Sequence, residues 1–174
     1  MPTDNTGKTQ SSKIIPLDGK NSVADVSKKA GKKILVVEDE PDARTMFTDL
    51  LSFEGYDVSS AVDGVDALAK ASAEKYDLIL LDIVMPNKDG LEVLEDLRAN
   101  TAQYGSPVIL MLTNISGDAA VEKAKELGAK DFLLKVGTEP DALIALVDKY
   151  ISGNADADAV PAAKPEQDAL PKAA

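Results

Sequence analysis

The sequence predicts an α/β fold: a doubly wound sheet of five parallel strands with helices on both faces. Three observations carry this. Short apolar runs such as Ile34–Val37, Leu78–Leu81 and Val108–Leu112 contain no polar alternation, which suits strands buried on both faces of a parallel sheet. Stretches with helical spacing of apolar residues separate the runs, and strict strand–helix alternation is the pattern of such a sheet. Most runs stop at a polar or charged residue. In a parallel sheet those stops share one rim, where open α/β sheets bind ligands.

Residues 1–31 mix Ser, Thr, Asn, Lys and Gly with scattered apolar residues. They show no sustained period and are expected to form a disordered basic arm. Thr6-Gly7-Lys8-Thr9 looks like the end of a phosphate-binding loop, but Pro2 stands where that motif needs its first Gly and no strand precedes it.

Ile34–Val37 is the first strand, followed by Glu38-Asp39-Glu40. Pro41 suits the first position of a helix, whose start favours acids. Met46, Phe47, Leu50 and Leu51 give that helix an apolar face, and Gly55 ends it. Tyr56–Ser60 is the second strand; Asp63-Gly64 opens the next helix with Val65, Leu68 and Ala71 inward. Tyr76–Leu81 is the third strand, closed by Asp82. Pro86 stops it from continuing as a central strand, and Pro86–Gly90 is turn chemistry. Leu91, Leu94 and Leu97 mark one face of a helix over Leu91–Ala99. Pro107–Leu112 is the fourth strand, with Thr113 at its end, and a helix over 118–127 stops at Gly128. Asp131–Leu134 is the fifth strand, with Lys135 at its end. Thr138 and Asp141 are spaced as a capping box for a last helix reaching Ile151 through Leu143, Ile144, Leu146 and Val147. Residues 153–174 are Ala, Pro and charge, too poor in large apolar groups to offset the entropy of ordering. They are expected to be a disordered tail, which leaves one domain over 32–152.

Composition narrows the chemistry. The chain has neither Cys nor His, so it holds no disulfide, thiol nucleophile, His base or His metal ligand. Any metal would be bound by oxygen, which favours Mg²⁺, Ca²⁺ or Mn²⁺. The net charge is −11, and the first 33 residues carry seven Lys against three Asp, so the body is more acidic than the whole. An acidic body argues against direct nucleic-acid binding. No apolar run approaches the ~20 residues of a membrane span, and the amino terminus has no apolar signal-peptide core. A cytoplasmic protein is expected.

The rim residues are Glu38, Asp39, Asp82, Thr113 and Lys135. Each has a plain structural reading: helix caps for Glu38 and Asp39, a strand end for Asp82, a strand residue for Thr113, a solvated Lys135. Together they suggest chemistry. Three close carboxylates repel one another, and a divalent cation relieves that conflict. Mg²⁺ takes few protein ligands and keeps open positions that polarise phosphoryl oxygens. Lys135 adds a second positive charge and Thr113 a hydroxyl donor. These are parts for phosphoryl transfer to a carboxylate, with Asp82 the central candidate.

With these residues placed, the chain resembles the receiver domain of bacterial response regulators. The residues that carry the resemblance are Val36-Val37-Glu38-Asp39-Glu40-Pro41, Asp82 with Met85-Pro86 and Asp89-Gly90, Thr113, and Gly128–Lys135. The resemblance implies a flavodoxin-like (βα)5 sheet of order 2-1-3-4-5. It implies that Asp82 accepts phosphate from a histidine kinase or phosphotransfer protein. It implies Mg²⁺ held by Asp39, Asp82 and the Val84 carbonyl, with Glu38 acting largely through water. Thr113 and Lys135 would hold phosphoryl oxygens, Phe132 would be the switch aromatic coupled to Thr113, and catalysis would be limited to the chain's own phosphorylation and dephosphorylation. A stand-alone receiver is expected, with output through the face of the fourth helix, fifth strand and last helix.

The chain departs from the family pattern at five positions. Val136 stands where Pro is usual, which predicts a trans Lys135–Val136 bond and a rearranged loop, because a cis bond before a non-proline residue costs about 2.5–4 kcal/mol. Asn114 replaces a small residue and narrows access to the phosphate. Phe132 lacks a Tyr hydroxyl. Val84 and Ile115 are apolar, which implies slow loss of phosphate. Two other readings stay open: a phosphorylation-independent interaction module, and a metal-dependent phosphatase of the haloacid dehalogenase pattern, against which Val84 stands where that pattern wants a second Asp.

Overall fold

The computed structural model describes residues 29–114 and 118–152. Five parallel strands form one sheet in the order β2-β1-β3-β4-β5: β1 (Lys33–Val37), β2 (Asp57–Ala61), β3 (Leu78–Asp82), β4 (Val108–Thr113) and β5 (Asp131–Leu134). The helices are α1 (Pro41–Phe53), α2 (Gly64–Ala73), α3 (Gly90–Ala99), α4 (Asp118–Glu126) and α5 (Pro140–Ile151). A single helical turn, Thr101–Tyr104, follows α3 and has no counterpart in the predicted elements. The tails expected to be disordered lie outside the described residues, apart from Lys29–Gly31.

Successive strand residues feed opposite faces, and the core divides accordingly. Leu35, Val37, Ile79, Leu81, Ile109 and Met111 pack under α2, α3 and α4. Ile34, Val36, Leu78, Leu80, Leu110 and Leu112 pack under α1 and α5. β3 lies between β1 and β4 and is buried along its whole length, which is why its run shows no alternation. β5 is a sheet edge, half-exposed.

Helical spacing left a choice of face that the sheet decides. Ala71 is buried as expected and Leu68 packs partly buried, but Val65, also expected inward, is 57% exposed; Ala67 takes the inner face in its place, because Gly64 brings the start of α2 hard against Lys88 and Val93. Met46 is 52% exposed, since Phe47 and Leu51 point at the sheet. On α3, Val93 joins Leu94 and Leu97 in the core while Leu91 is only partly buried.

The helix starts differ by face. Asp63 caps α2 by accepting from the Asp66 N–H at 2.8 Å. Asp89 and Glu92 form a full capping box on α3, at 2.9 and 3.0 Å. α1 and α5 instead start at Pro41 and Pro140, with no side-chain cap. The capping box predicted at Thr138 and Asp141 is therefore absent. Glu139 is the N-cap, and the Thr138 hydroxyl donates back to the Leu134 carbonyl. No helix among the described residues is long and apolar enough to cross a membrane.

Lys29 corrects the expected boundary of the amino-terminal arm. It is buried and pairs with Glu54 and Asp148, residues far along the chain that no local reading connects to it.

Candidate functional site

The carboxyl ends of β1, β3 and β4, with the segment after β5, surround an open pocket of about 390 Å³ lined by Glu38, Asp39, Glu40, Asp82, Val84, Asn114 and Lys135. Glu38 follows directly on β1, and its N–H bonds the Ala61 carbonyl at 3.1 Å. Its side chain is fully buried. The Arg44 guanidinium donates to the Glu38 and Asp39 carbonyls at 2.8 and 3.0 Å, so α1 grips the acidic turn from its second turn. Sequence reading missed Arg44; its signal was a cation on the helix that follows the acids.

Asp82 is the last residue of β3 and is 3% exposed. Backbone contacts fix it. The Ile83 N–H bonds the Leu112 carbonyl at 3.1 Å, and the Gly90 N–H bonds the Ile83 carbonyl at 2.9 Å. A Cβ on Gly90 would lie 2.0 Å from the Asp82 carbonyl oxygen. The Asp89-Gly90 turn signal therefore reports a close backbone approach that only Gly permits. Asn87 sits in the left-handed region at φ 66° and donates to Asp63 at 2.7 Å, tying this loop to the start of α2.

Lys135 closes the site. Its ammonium lies 2.6 Å from Asp82 Oδ2 and 2.6 Å from Glu38 Oε2. Lys135 thus pairs with both acids, and it is the partner of the buried Glu38 Oε2. The remaining Asp82 oxygen accepts from the Val84 N–H at 3.3 Å. Burial pushes the Glu38 carboxyl up, with the Asp82 charge adding to it against the pull of Lys135. Burial opposes the Lys135 charge, yet its bonds to Asp82 and Glu38 prevail and raise its pKa.

Carboxylate oxygens of Glu38, Asp39 and Asp82 lie within 4.8 Å of one another, close enough to share one ion. The donor set is all carboxylate oxygen. Such a set fits a hard divalent cation.

Thr113 ends β4, buried, and its carbonyl accepts the Lys135 N–H at 2.9 Å. Met111 is opposite Phe132 and Thr113 opposite Leu134. Phe132 and Thr113 therefore face the same side of the sheet on adjacent strands. Phe132 is partly buried against the core under α2, α3 and α4, with the Lys125 ammonium 5.9 Å from its ring centre. No peptide bond among the described residues is cis, so Lys135–Val136 is trans as predicted. Glu38, Asp39, Asp82, Val84 and Lys135 line the pocket with Glu40, Thr113 stands at the end of β4, and Phe132 lies off the rim, one strand over on the sheet face beneath the helices.

The family model described as "Response regulator receiver domain" matches residues 34–148. The alkaline phosphatase synthesis transcriptional regulatory protein PhoP of Bacillus subtilis is 44% identical over 104 residues, covering 60% of this chain and 42% of PhoP. The chain thus spans less than half the length of that relative. The chemotaxis protein CheY4 of Vibrio cholerae is 33% identical with TM-score 0.65, covering 70% of this chain and 99% of its own. The receiver domain of the sensor histidine kinase PA1611 of Pseudomonas aeruginosa, solved with a magnesium ion coordinated in the active site cleft, is 29% identical with TM-score 0.64, covering 71% and 99%.

Proposed function

As the chain belongs to the response regulator receiver domain family, we propose that it is a phosphoacceptor switch in a two-component phosphorelay, phosphorylated on Asp82. The observation that carries this reading is the buried strand-end Asp82, bonded to the Lys135 ammonium and clustered with Glu38 and Asp39 at the mouth of an open pocket. The chain has no His, so a phosphohistidine donor comes from a histidine kinase or phosphotransfer protein. An Asp82 carboxylate oxygen attacks the phosphorus. The new P–O bond forms as the P–N bond breaks, and the imidazole leaves with its electron pair and takes up a proton.

This chain's residues contribute positioning and charge. Gly90 and the β3 backbone aim Asp82. Lys135, already bonded to Asp82, holds a phosphoryl oxygen, and the Thr113 hydroxyl binds another. Asp39, Asp82 and the Val84 carbonyl would hold Mg²⁺, with Glu38 as a further carboxylate beside them. When bound, the ion neutralises charge on the phosphoryl oxygens. Withdrawal of Thr113 toward the phosphoryl group opens room that Phe132 fills, and this biases a two-state equilibrium read by partner proteins on the α4-β5-α5 face. Val84 in the pocket offers no group to orient an attacking water, which favours a long-lived phosphate.

The test is amide NMR with Mg²⁺ and acetyl phosphate or beryllofluoride, with Asp82→Asn as control. Shifts at Asp82, Thr113 and Phe132 that vanish in the variant are expected, and after acetyl phosphate is removed they should persist well beyond seconds. Mg²⁺ binding without any further response, even with a cognate kinase, would favour a phosphorylation-independent interaction module instead.

A further inference from the structure

The proposed signal reaches Lys135, and α5 begins five residues later at Pro140. That helix is fastened unequally. At its amino end, Glu139 provides no side-chain cap and residues 139–142 are exposed, so that end is anchored by the apolar contact of buried Leu143 alone. At its carboxyl end three residues are held. The Tyr150 hydroxyl lies 3.0 Å from Asp131 Oδ2 and 3.2 Å from the Lys130 carbonyl. Lys149 approaches Asp131 at 3.9 Å. Asp148 is held by Lys29, which comes from ahead of β1.

Lys29 has no part in the phosphoacceptor site, which lies at the opposite end of the sheet. Its side chain is 5% exposed, an uncommon place for Lys unless it is paired. The pairing spans two helices: Nζ is 2.9 Å from Glu54 Oε2 at the end of α1 and 3.0 Å from Asp148 Oδ2 in the last turn of α5. The ammonium also sits 5.4 Å from the centre of the Tyr56 ring, and the Tyr56 hydroxyl donates to the other Asp148 oxygen. Burial works against the charge, yet the two carboxylates prevail and raise the Lys29 pKa. A buried ammonium with two acids and an aromatic face is difficult to take apart, because loss of any member strands a buried charge.

We propose that Lys29 is a clasp that pins the carboxyl end of α5 to the end of α1, so that α5 answers the phosphoacceptor site as a lever moving at its amino end. The lever half rests on Asp82 being the phosphoacceptor; the clasp half does not. The physical basis is that directed polar bonds hold the carboxyl end, whereas Leu143 holds the amino end by a non-directional apolar contact that can slide.

Amide NMR on the full chain tests both halves separately, by hydrogen exchange in the first arm and by chemical shift in the second. In the first arm no ligand is added. Lys29→Met keeps the apolar stem and removes the charge. Exchange at Asp148–Ile151 should rise about tenfold or more while the β3 amides keep their protection, and Lys29→Arg should stay near the wild type. No change at Asp148–Ile151 overturns the clasp. So does an equal rise across β3 and α5, which would mark Lys29 as a general stability residue. In the second arm Mg²⁺ and beryllofluoride are added. Amide shifts in the wild type should be confined to Lys135–Leu143 within this region, and in Lys29→Met they should extend to Ile151. Wild-type shifts at Asp148–Ile151 as large as those at Pro140 overturn the lever. No response anywhere, Asp82 included, overturns the phosphoacceptor reading and the lever with it, while the first arm still decides the clasp.

Discussion

The two strand ends that meet at the site are built in opposite ways. β3 is central, wholly buried, and delivers Asp82 on the strand itself. Its carbonyl is so closely packed that Gly90 has no room for a Cβ. β5 is an edge strand, and the residues after it are loosely held: Val136 is 77% exposed, and Gly137 takes φ 79° with open space around it. Lys135 reaches the acids on its own flexible stem. The acid's position is thus a matter of backbone packing, and the cation's a matter of charge. The acid proposed to accept phosphate is the one fixed by packing, and the cation beside it is held through its charge.

Three measurements sharpen or break that contrast. The largest effect belongs to the packed side. Gly90→Ala should cost about 3 kcal/mol in urea unfolding, because backbone must shift to admit the methyl group. A loss under about 1 kcal/mol, well below what overpacking usually costs, would mean that the turn yields and the Asp82 end is not rigid.

Next comes the charge side. Lys135→Met leaves Glu38 and Asp82 buried together without their cation. In metal-free buffer at neutral pH it should cost about 2 kcal/mol, the scale of hydrogen bonds to charged groups. Millimolar Mg²⁺ should restore part of it. If Mg²⁺ restores nothing, the acids are not sharing an ion.

The smallest effect lies on the far side of β5. Burial, with help from the Asp131 carboxylate, pushes the Tyr150 phenol up to about 12. Above its ordinary value near 10, the unfolded chain loses this proton while the folded chain keeps it. Stability should therefore fall as pH rises from about 10 to 12. Tyr150→Phe should flatten that alkaline limb and cost about 1 kcal/mol at neutral pH through the lost hydrogen bond. An unchanged limb in urea titrations at stepped pH would show that the phenol is not held.

Much of this was legible in the residues. Leu78–Leu81 reads as a buried strand because no polar residue interrupts it, and Asp82 reads as a rim group because the run stops there. The same logic placed Glu38, Thr113 and Lys135, and a strand-end position follows from sequence once the sheet is parallel. Helix faces were less secure. Met46 and Phe47 are adjacent and both apolar, so periodicity alone does not say which one meets the sheet. Capping was misplaced for a related reason: Asp89 and Glu92 have the spacing of a box as fully as Thr138 and Asp141 do, and only the backbone path selects between them. Arg44 and Glu40 went unnoticed because charged residues near a helix start are ordinary.

By itself the sequence determined the alternation of strands and helices, the parallel sheet and the identity of the rim residues. These follow from local patterns of apolar and polar side chains. Only the tertiary structure decided that Lys135 bridges Glu38 and Asp82, that Gly90 rests on the Asp82 carbonyl, and that Lys29 is drawn into the body between Glu54 and Asp148. Each of these joins residues distant along the chain, and their energies come from desolvation and close approach. Such terms exist only after the elements have packed.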